Sequence, residues 1–540
     1  LLYRYDPTGL TEVALNPERD VYYLTTEGEG LVIGWKRGFD GSVDYMEPGG
    51  NRYNISSGAC EATKPWYTIE DGVRKFWVSD DSDKFRYFDV DANYCDAFVF
   101  NSPYRHAATE IDIERDKVYV ATPGADPGLN APGKAEGVYL FENGFWQRFN
   151  KETNPELLEG ECFKDMWRVA AHPSQDKFYV GSFIGGLIES NGARTTTKCY
   201  TKDNSILQNA GSAGSGRTAI SGLAFDEDEN LWIANYSAGA PVAVLKADGT
   251  LRNFPAAPAN ILTSLVVDQN GYKWFTLGFN GGVMVFDSGQ DIDDPADDRY
   301  KIFTSTNSVM PTNTVNCLAV DLEGDVWVGT QQGTVSFECG SNVFDQSCTG
   351  RRRIINVDGF NGYLLETEDV RTIAVDGGNR KWFGTSNGIF VQSADGLTQE
   401  GRFTATNSPL FDNNITDIAI NPKNGEVWIG TEKGIISLRG EATEGGRINS
   451  TLSYAYPNPV QPDYDGPIAI YGLARDANIK ITDVAGNLVY EGQALGGQAV
   501  WNGRDYLGRR VTSGVYLVFA TSVANFENPD AIITKVVILN

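Results

Sequence analysis

The sequence predicts an all-β fold assembled from repeated small sheets and closed by a separate sandwich of short strands. Three observations predict it: the composition, a unit that recurs nine times, and a change of pattern after Arg447. Glycine (59), tyrosine (25), phenylalanine (27) and tryptophan (11) are plentiful among the 540 residues, whereas histidine (2) and methionine (4) are scarce. Glycine serves tight turns, and aromatic and β-branched residues serve strands. With 41% hydrophobic residues over this length, the chain fills more than one ordinary core of ~100–200 residues.

The repeat is clearest from Leu318 to Phe337, LAVDLEGDVWVGTQQGTVSF. Close copies start at Ile373 and Ile418 downstream and at Leu265 and Leu223 upstream, and weaker ones at Val169, Ile111, Tyr67 and Val13. Each copy opens with an alternating apolar strand, which an Asp/Asn/Gly turn reverses. A second strand then carries an aromatic anchor followed by a small residue, and a glycine leads a third strand. Such a unit is apolar on both faces and can bury them only against neighbouring copies, which is the logic of a radial array.

The anchors are Tyr23, Trp77, Tyr119, Tyr179, Trp232, Trp274, Trp327, Trp382 and Trp428, spaced 42 to 60 residues apart. That spacing suits one four-stranded propeller blade per copy. Nine copies exceed the usual ~4–8 blades of one ring. The expected division is therefore residues 1–104 as the last blades of an incomplete N-terminal β-propeller, 105–447 as a seven-bladed β-propeller, and 452–540 as an immunoglobulin-like β-sandwich. The opening LLYRYDPTGL reads as mid-strand, so either a leader has been removed or the chain is a piece of something longer.

The formal net charge of −26 excludes a nucleic-acid partner, whose phosphates require Lys/Arg surfaces, and disfavours anionic lipid headgroups. No apolar run of ~18 residues is present, so no direct membrane span is expected. None of the seven cysteines forms a CxxC pair, which argues against zinc or thioredoxin-like chemistry. In an exported protein Cys339–Cys348, Cys60–Cys95 and Cys162–Cys199 could bridge, leaving Cys317 buried in a strand. Buried reduced thiols are the alternative.

The tail from residue 452 to 540 reads as about seven short alternating strands punctuated by glycine. Its residues Tyr456-Pro457-Asn458-Pro459, the Asp483-Val484-Ala485-Gly486 turn, Trp501-Asn502-Gly503-Arg504-Asp505, Gly508, Gly514 and Lys535 resemble the C-terminal sorting domain of type IX secretion substrates. The blades resemble the two-component-regulator type of propeller repeat. Together, consecutive propellers closed by such a tail resemble the PorZ-like components of the type IX attachment complex. The resemblance implies a non-enzymatic, outer-membrane-associated cell-surface subunit. It would work beside the sortase PorU, the barrel protein PorV and the linker PorQ, binding anionic lipopolysaccharide and presenting it to the sortase for cargo anchoring.

No catalytic residue is expected. His172 sits at an inter-strand turn and His106 in a connector, and no GxSxG elbow is present. Asp71, Asp226, Asp268, Asp321 and Asp376 recur at equivalent turn positions, which marks a structural role, since an active site needs unique residues. The acidic loop DSGQDIDDPADD offers Asp291, Asp293 and Asp297 as hard oxygen ligands for calcium, or is a solvated insertion. The run Arg351-Arg352-Arg353 offers a cationic clamp for phosphate or carboxylate of an anionic glycan, or is a solvated strand start. Two other readings compete with the attachment subunit. One is a type IX cargo propeller that degrades or binds polysaccharide, whose tail the sortase would clip. The other is a detached sensor ectodomain that binds oligosaccharide.

Overall fold

The computed structural model describes the chain except for residues 1, 7–8, 14–19, 28–29, 38–39, 56–64, 72–73, 81–84, 93, 99–100, 104–106, 127, 152, 155–161, 196, 212–215, 358, 522–530 and 540. Regular secondary structure among the described residues is nearly all β-strand, and the chain divides into two compact units, Leu1–Tyr104 and Arg105–Asn540.

The first unit holds a hairpin, Leu2–Asp6 with Gly9–Val13, and two four-stranded antiparallel sheets that span Asp20–Asn54 and Pro65–Phe98. Val32, Val43, Tyr45, Phe76, Val78 and Phe88 form the core between those sheets. One anchor departs from expectation: Tyr23 lies on the first strand of its sheet, Asp20–Glu27, and not on the second. The second strand, Gly30–Arg37, carries the fully buried Trp35, whose indole donates to Asp44.

In the second unit seven antiparallel sheets of three or four strands follow one another between Glu110 and Arg439, with a two-stranded hairpin, Ile354–Val357 and Phe360–Tyr363, between the fifth and the sixth. The first strand of each is the innermost, and each first strand packs beside that of the next sheet. The last of them, Ile415–Ile420, packs beside the first, Glu110–Glu114, so the ring of sheets closes on itself. The repeat explains the packing. In the anchor strand of the fifth sheet, Val326–Thr330, every residue is buried, because both faces are covered by neighbouring sheets.

The recurrent aspartates close the turns before these anchor strands. In the fourth sheet one Asp268 oxygen accepts the backbone N–H groups of Asn270 and Tyr272 at 2.8 and 3.0 Å, and the other accepts the indole N–H of Trp274 at 2.8 Å. Asp226–Trp232, Asp321–Trp327 and Asp376–Trp382 repeat the bond at 2.8, 2.9 and 2.9 Å, and Asp71–Trp77 in the first unit at 3.0 Å. A spacing of six residues thus ties turn to core. In the seventh sheet Asn421 replaces the aspartate, and the Trp428 indole N–H is buried without a hydrogen-bond partner among the described residues.

The strands from Tyr454–Tyr456 to Gly514–Thr521, with Ala531–Ile538, form a three-stranded and a four-stranded antiparallel sheet around one core of Ile468, Ile470, Ile479, Ile481, Trp501 and Val518, among others. They belong to the same compact unit as the ring. The cause is a seam of backbone packed on backbone. A β-carbon at Gly377, in a turn of the sixth sheet, or at Gly496, in a turn of the tail, would collide with the carbonyl of Thr443 in the linker. Gly496 also needs its φ of +61°. The linker itself is bonded. Gly497 N donates to Thr443 O at 2.7 Å, Arg475 N to Gly446 O at 2.9 Å, and Ser450 N to Gly472 O at 2.7 Å. The buried Asn449 side chain accepts from Ala474 N at 2.8 Å and donates to Ala520 O at 3.2 Å.

Candidate functional site

The innermost strands enclose a channel along the axis of the ring. Six of the seven carry a bulge near their start, as at Met166/Arg168, Val315/Cys317, Val370/Thr372 and Ile415/Asp417. The extra residue re-aims the side chains that follow. The position after the bulge is Arg168, Gly222, Ser264, Cys317, Thr372 and Asp417 around the ring. The strands repeat in pattern, yet this ring of residues does not. Arg168, Ser264, Cys317, Thr372 and Asp417, with Glu110, Asn316 and Arg371, line a cavity of about 480 Å³.

Electrostatics decides what the channel can do. Burial raises the carboxyl of Glu110 to about 7 and those of Asp112 and Asp417 to about 6. Each is nevertheless bonded to a neighbouring sheet. Glu110 accepts from Val169 N at 2.8 Å, Asp112 from Ala171 N at 2.6 Å, and Asp417 from Ile111 N at 2.6 Å and Thr372 Oγ1 at 2.7 Å. Arg168 donates to the carbonyls of Ser221 and Thr263, both at 2.7 Å. These groups are staples between sheets. Arg371 is one-third exposed, pairs with Asp369 at 3.0 Å, and also donates from Nη1 to Asn414 Oδ1 on the approach to the seventh sheet. Cys317 is a free thiol on this wall, half-buried rather than fully buried, and burial raises its pKa.

The residues singled out in the sequence fall elsewhere. Arg353 is buried, paired with Glu338, and donates from Nε to Asp395 O at 2.8 Å. Arg352 stacks on Tyr363 with its guanidinium 3.7 Å from the ring centre, and Arg351 bonds through its backbone to Ser336, taking the place of a fourth strand in the fifth sheet. Arg351 and Arg353, two places apart on an extended chain, both pair with Glu338, and Arg352 between them turns the other way onto Tyr363, so the three guanidinium groups do not converge on one point.

The acidic loop likewise does not converge. Asp293 pairs with Lys246 at 2.9 Å, Asp291 caps Asp293 N at 2.9 Å, and Asp297 accepts from Gln290 N at 2.9 Å. No group of three His, Cys, Asp or Glu side chains among the described residues is arranged to hold a metal ion. One oxygen of Asp291 and one of Asp297 are thus taken by backbone amides, and Asp293 by Lys246.

His172 is a satisfied turn residue: its Nδ1 accepts from Ser174 N at 3.2 Å and Gln175 N at 3.1 Å, and burial lowers its pKa. His106 lies outside the described residues. Cys339–Cys348 and Cys162–Cys199 are disulfides, whereas the Cys60 end of the third expected pair lies outside the described residues.

The tail motif forms a frame. Asn458, between cis prolines 457 and 459, donates to Lys535 O at 2.9 Å and accepts from Val537 N at 2.9 Å, tying the start of the tail to its last strand. Trp501 is fully buried and donates to Arg504 O at 2.8 Å, beside the Asp505 turn that Gly508 closes at φ +78°. Gly486 holds φ +87° in the Asp483 turn, and Gly503 holds +69°. Tyr456 and Lys535 are exposed, and Gly514 opens the strand that ends at Thr521. Sequence reasoning missed the channel wall and the seam glycines; the non-repeating positions inside otherwise repeating first strands were the available signal.

No family model and no curated protein matches the chain. Among solved structures, it is similar to PorZ, an essential bacterial surface component of the type IX secretion system of Porphyromonas gingivalis. The TM-score is 0.68 at 23% identity, over 98% of this chain and 77% of that one. This likeness gives the two chains a common fold. Two weaker likenesses carry no argument. One is to the extracellular domain of a putative hybrid two-component system of B. thetaiotaomicron, with TM-score 0.42 at 12% identity over 100% of this chain and 78% of the other. The other is to virginiamycin B lyase of Staphylococcus aureus, with TM-score 0.43 at 12% identity over 63% and 96%. No helix among the described residues is long and apolar enough to cross a membrane.

Proposed function

We propose that the chain is a non-enzymatic, cell-surface, outer-membrane-associated component of a type IX attachment complex. It binds anionic lipopolysaccharide and presents it to the sortase, in company with proteins of the PorU, PorV and PorQ kinds. In this reading residues 1–104 are the last blades of an incomplete propeller. Residues 105–447 are a seven-bladed propeller, and 452–540 are an immunoglobulin-like sandwich of the sorting-domain class.

The observation that carries the reading is the seam. A tail destined for removal must offer the sortase an accessible linker. Here the linker is bonded on both sides, through Thr443, Gly446, Asn449 and Ser450, and the glycine contacts fix the sandwich against the ring. Backbone held in this way opens only with the surrounding structure, so a protease reaches it rarely. A permanent tail suits a resident subunit and not a sorted cargo. The channel supports binding over chemistry, because its carboxylates are spent on the amides of neighbouring sheets while Arg371 remains partly exposed at the wall.

The test is the mass of the protein recovered from its native cell surface. A chain retaining residues 452–540, with a sortase co-purifying, is the expected result. A chain lacking those residues and carrying covalent glycolipid overturns the reading in favour of a cargo propeller.

A further inference from the structure

In five of the seven sheets the third strand is covered by a fourth that ends in an aromatic residue: Phe149, Tyr200, Phe254, Phe303 and Phe403. A basic residue stands one or two places before each, namely Arg148, Lys198, Arg252, Lys301 and Arg402. Each of these aromatics packs toward the next sheet of the ring. In four sheets the carbonyl of the closing aromatic lies over the glycine that opens the third strand, at Gly137, Gly186, Gly282 and Gly388. In the fifth sheet Arg351 takes the place of this strand by exchanging two backbone bonds with Ser336, at 2.9 and 2.7 Å.

The seventh sheet has three strands, and its third is Gly434–Arg439. Among the described residues no backbone group pairs with the outer edge of that strand. Its residues Ile435, Ile436, Ser437 and Leu438 are half-buried, whereas the corresponding strand of the sixth sheet, Gly388–Gln392, is wholly buried. Phe149, Tyr200, Phe254 and Phe303 are no more than 6% exposed. Phe403, the one that faces the seventh sheet, is left half-buried. A cavity of about 340 Å³ lies beside it, floored by Trp382, Val391, Phe403 and Leu438 and rimmed by Glu400 and Glu441, both of which pair with Arg380 on the same rim, and by Arg439. Over Gly434, where a closing carbonyl would sit, lies the ring of Phe411, itself 53% exposed.

We propose that this edge is a strand-addition site, which takes an extended segment of a partner protein whose alternating basic and apolar residues end in an aromatic. Main-chain bonds to Gly434–Arg439 would supply affinity, and the cavity and the Gly434–Phe411 slot would supply register. The ring's own five closing strands define what fits, and a net charge of −26 favours a basic segment. An open edge of this length is otherwise an aggregation template, which proteins cover or blunt. The inference is independent of the function proposed above.

The experiment uses the full chain and a synthetic peptide with the sequence of residues 298–306, DRYKIFTST. Hydrogen exchange is followed with and without peptide. In the free protein the amides of residues 434–439 that face the edge exchange fast, and saturating peptide slows them about tenfold or more. A peptide of scrambled order does not do so, and Leu438→Arg, which fills the cavity, abolishes binding while leaving the circular dichroism unchanged. The proposal is overturned if those amides are already protected in the free chain, or if the peptide gives no saturable protection there.

Discussion

Asp417 Oδ2 accepts a hydrogen bond at 2.6 Å from the backbone N–H of Ile111, 306 positions earlier in the chain. This bond joins the innermost strand of the last sheet to that of the first, and the other oxygen of Asp417 holds Thr372 of the sixth sheet. One carboxylate therefore spans three sheets at the closure of the ring. Removing it leaves a buried amide without an acceptor, a loss of about 1–3 kcal/mol. Asp417→Ala is expected to lower the denaturation midpoint accordingly, and Asp417→Asn, which keeps one carbonyl oxygen, to lower it less. Equal stability of Asp417→Ala and the parent would show that the ring closes by apolar packing alone.

The same carboxylates set a pH dependence. Burial holds Glu110 at about 7 and Asp112 and Asp417 at about 6, above the ordinary carboxyl values of ~4 of an unfolded chain. The folded state therefore binds more protons than the unfolded one between those values. The contribution of these groups is complete below about pH 4 and is lost as pH rises through 6 to 7. Chemical denaturation should show this component of stability falling from pH 4.5 to 7.5, and Glu110→Gln should flatten the fall. An unchanged slope in Glu110→Gln would refute the assignment.

The turn aspartates are not equivalent. Asp321 accepts from Trp327 and also pairs at 2.8 Å with Lys381, which is fully buried. Burial pushes the Asp321 carboxyl up, but the Lys381 ammonium and the indole more than reverse this and lower its pKa. Asp268 makes the same turn without so close a cation, and burial leaves its pKa raised. Asp321→Ala strands a buried ammonium and should cost about 3–5 kcal/mol. Asp268→Ala should cost about 1–3 kcal/mol. Urea titration of the two variants side by side decides the order.

The seam is open to a substitution that no surface site would notice. Gly496→Ala places a methyl against Thr443 O and Gly377 O, at a φ that L-residues disfavour. The tail should undock while its own core, centred on Trp501 and Ile481, persists. Limited proteolysis should then cut within residues 440–453 well before it cuts the ring. Resistance equal to that of the parent would mean that the glycine contacts do not hold the junction.

Much of this architecture was legible in the sequence because it is local. The six-residue spacing from Asp268 to Trp274 and from Asp321 to Trp327 lies within one turn and its following strand, so the repeat announces both the turn and the buried anchor. The tail motif was legible for the same reason, since Asp483 and Gly486, or Asp505 and Gly508, make one turn each. The arginine run was harder to read, because neighbours in an extended strand point apart: Arg352 lies on Tyr363, whereas Arg351 and Arg353 both pair with Glu338.

What tertiary structure alone decided are the relationships between residues far apart in the chain. Nothing near Asp417 in sequence indicates Ile111 as its partner, and nothing near Gly377 indicates Thr443 and Gly496. The order of sheets around a ring brings these groups together. The edge at Gly434–Arg439, unpaired among the described residues, belongs to the same class, since the seventh copy of the repeat resembles the others through its third strand and differs in what lies beside it. Short-range hydrogen bonding and hydrophobic alternation write themselves into a sequence. Closure of a ring, docking of a tail and exposure of an edge depend on which distant surfaces meet.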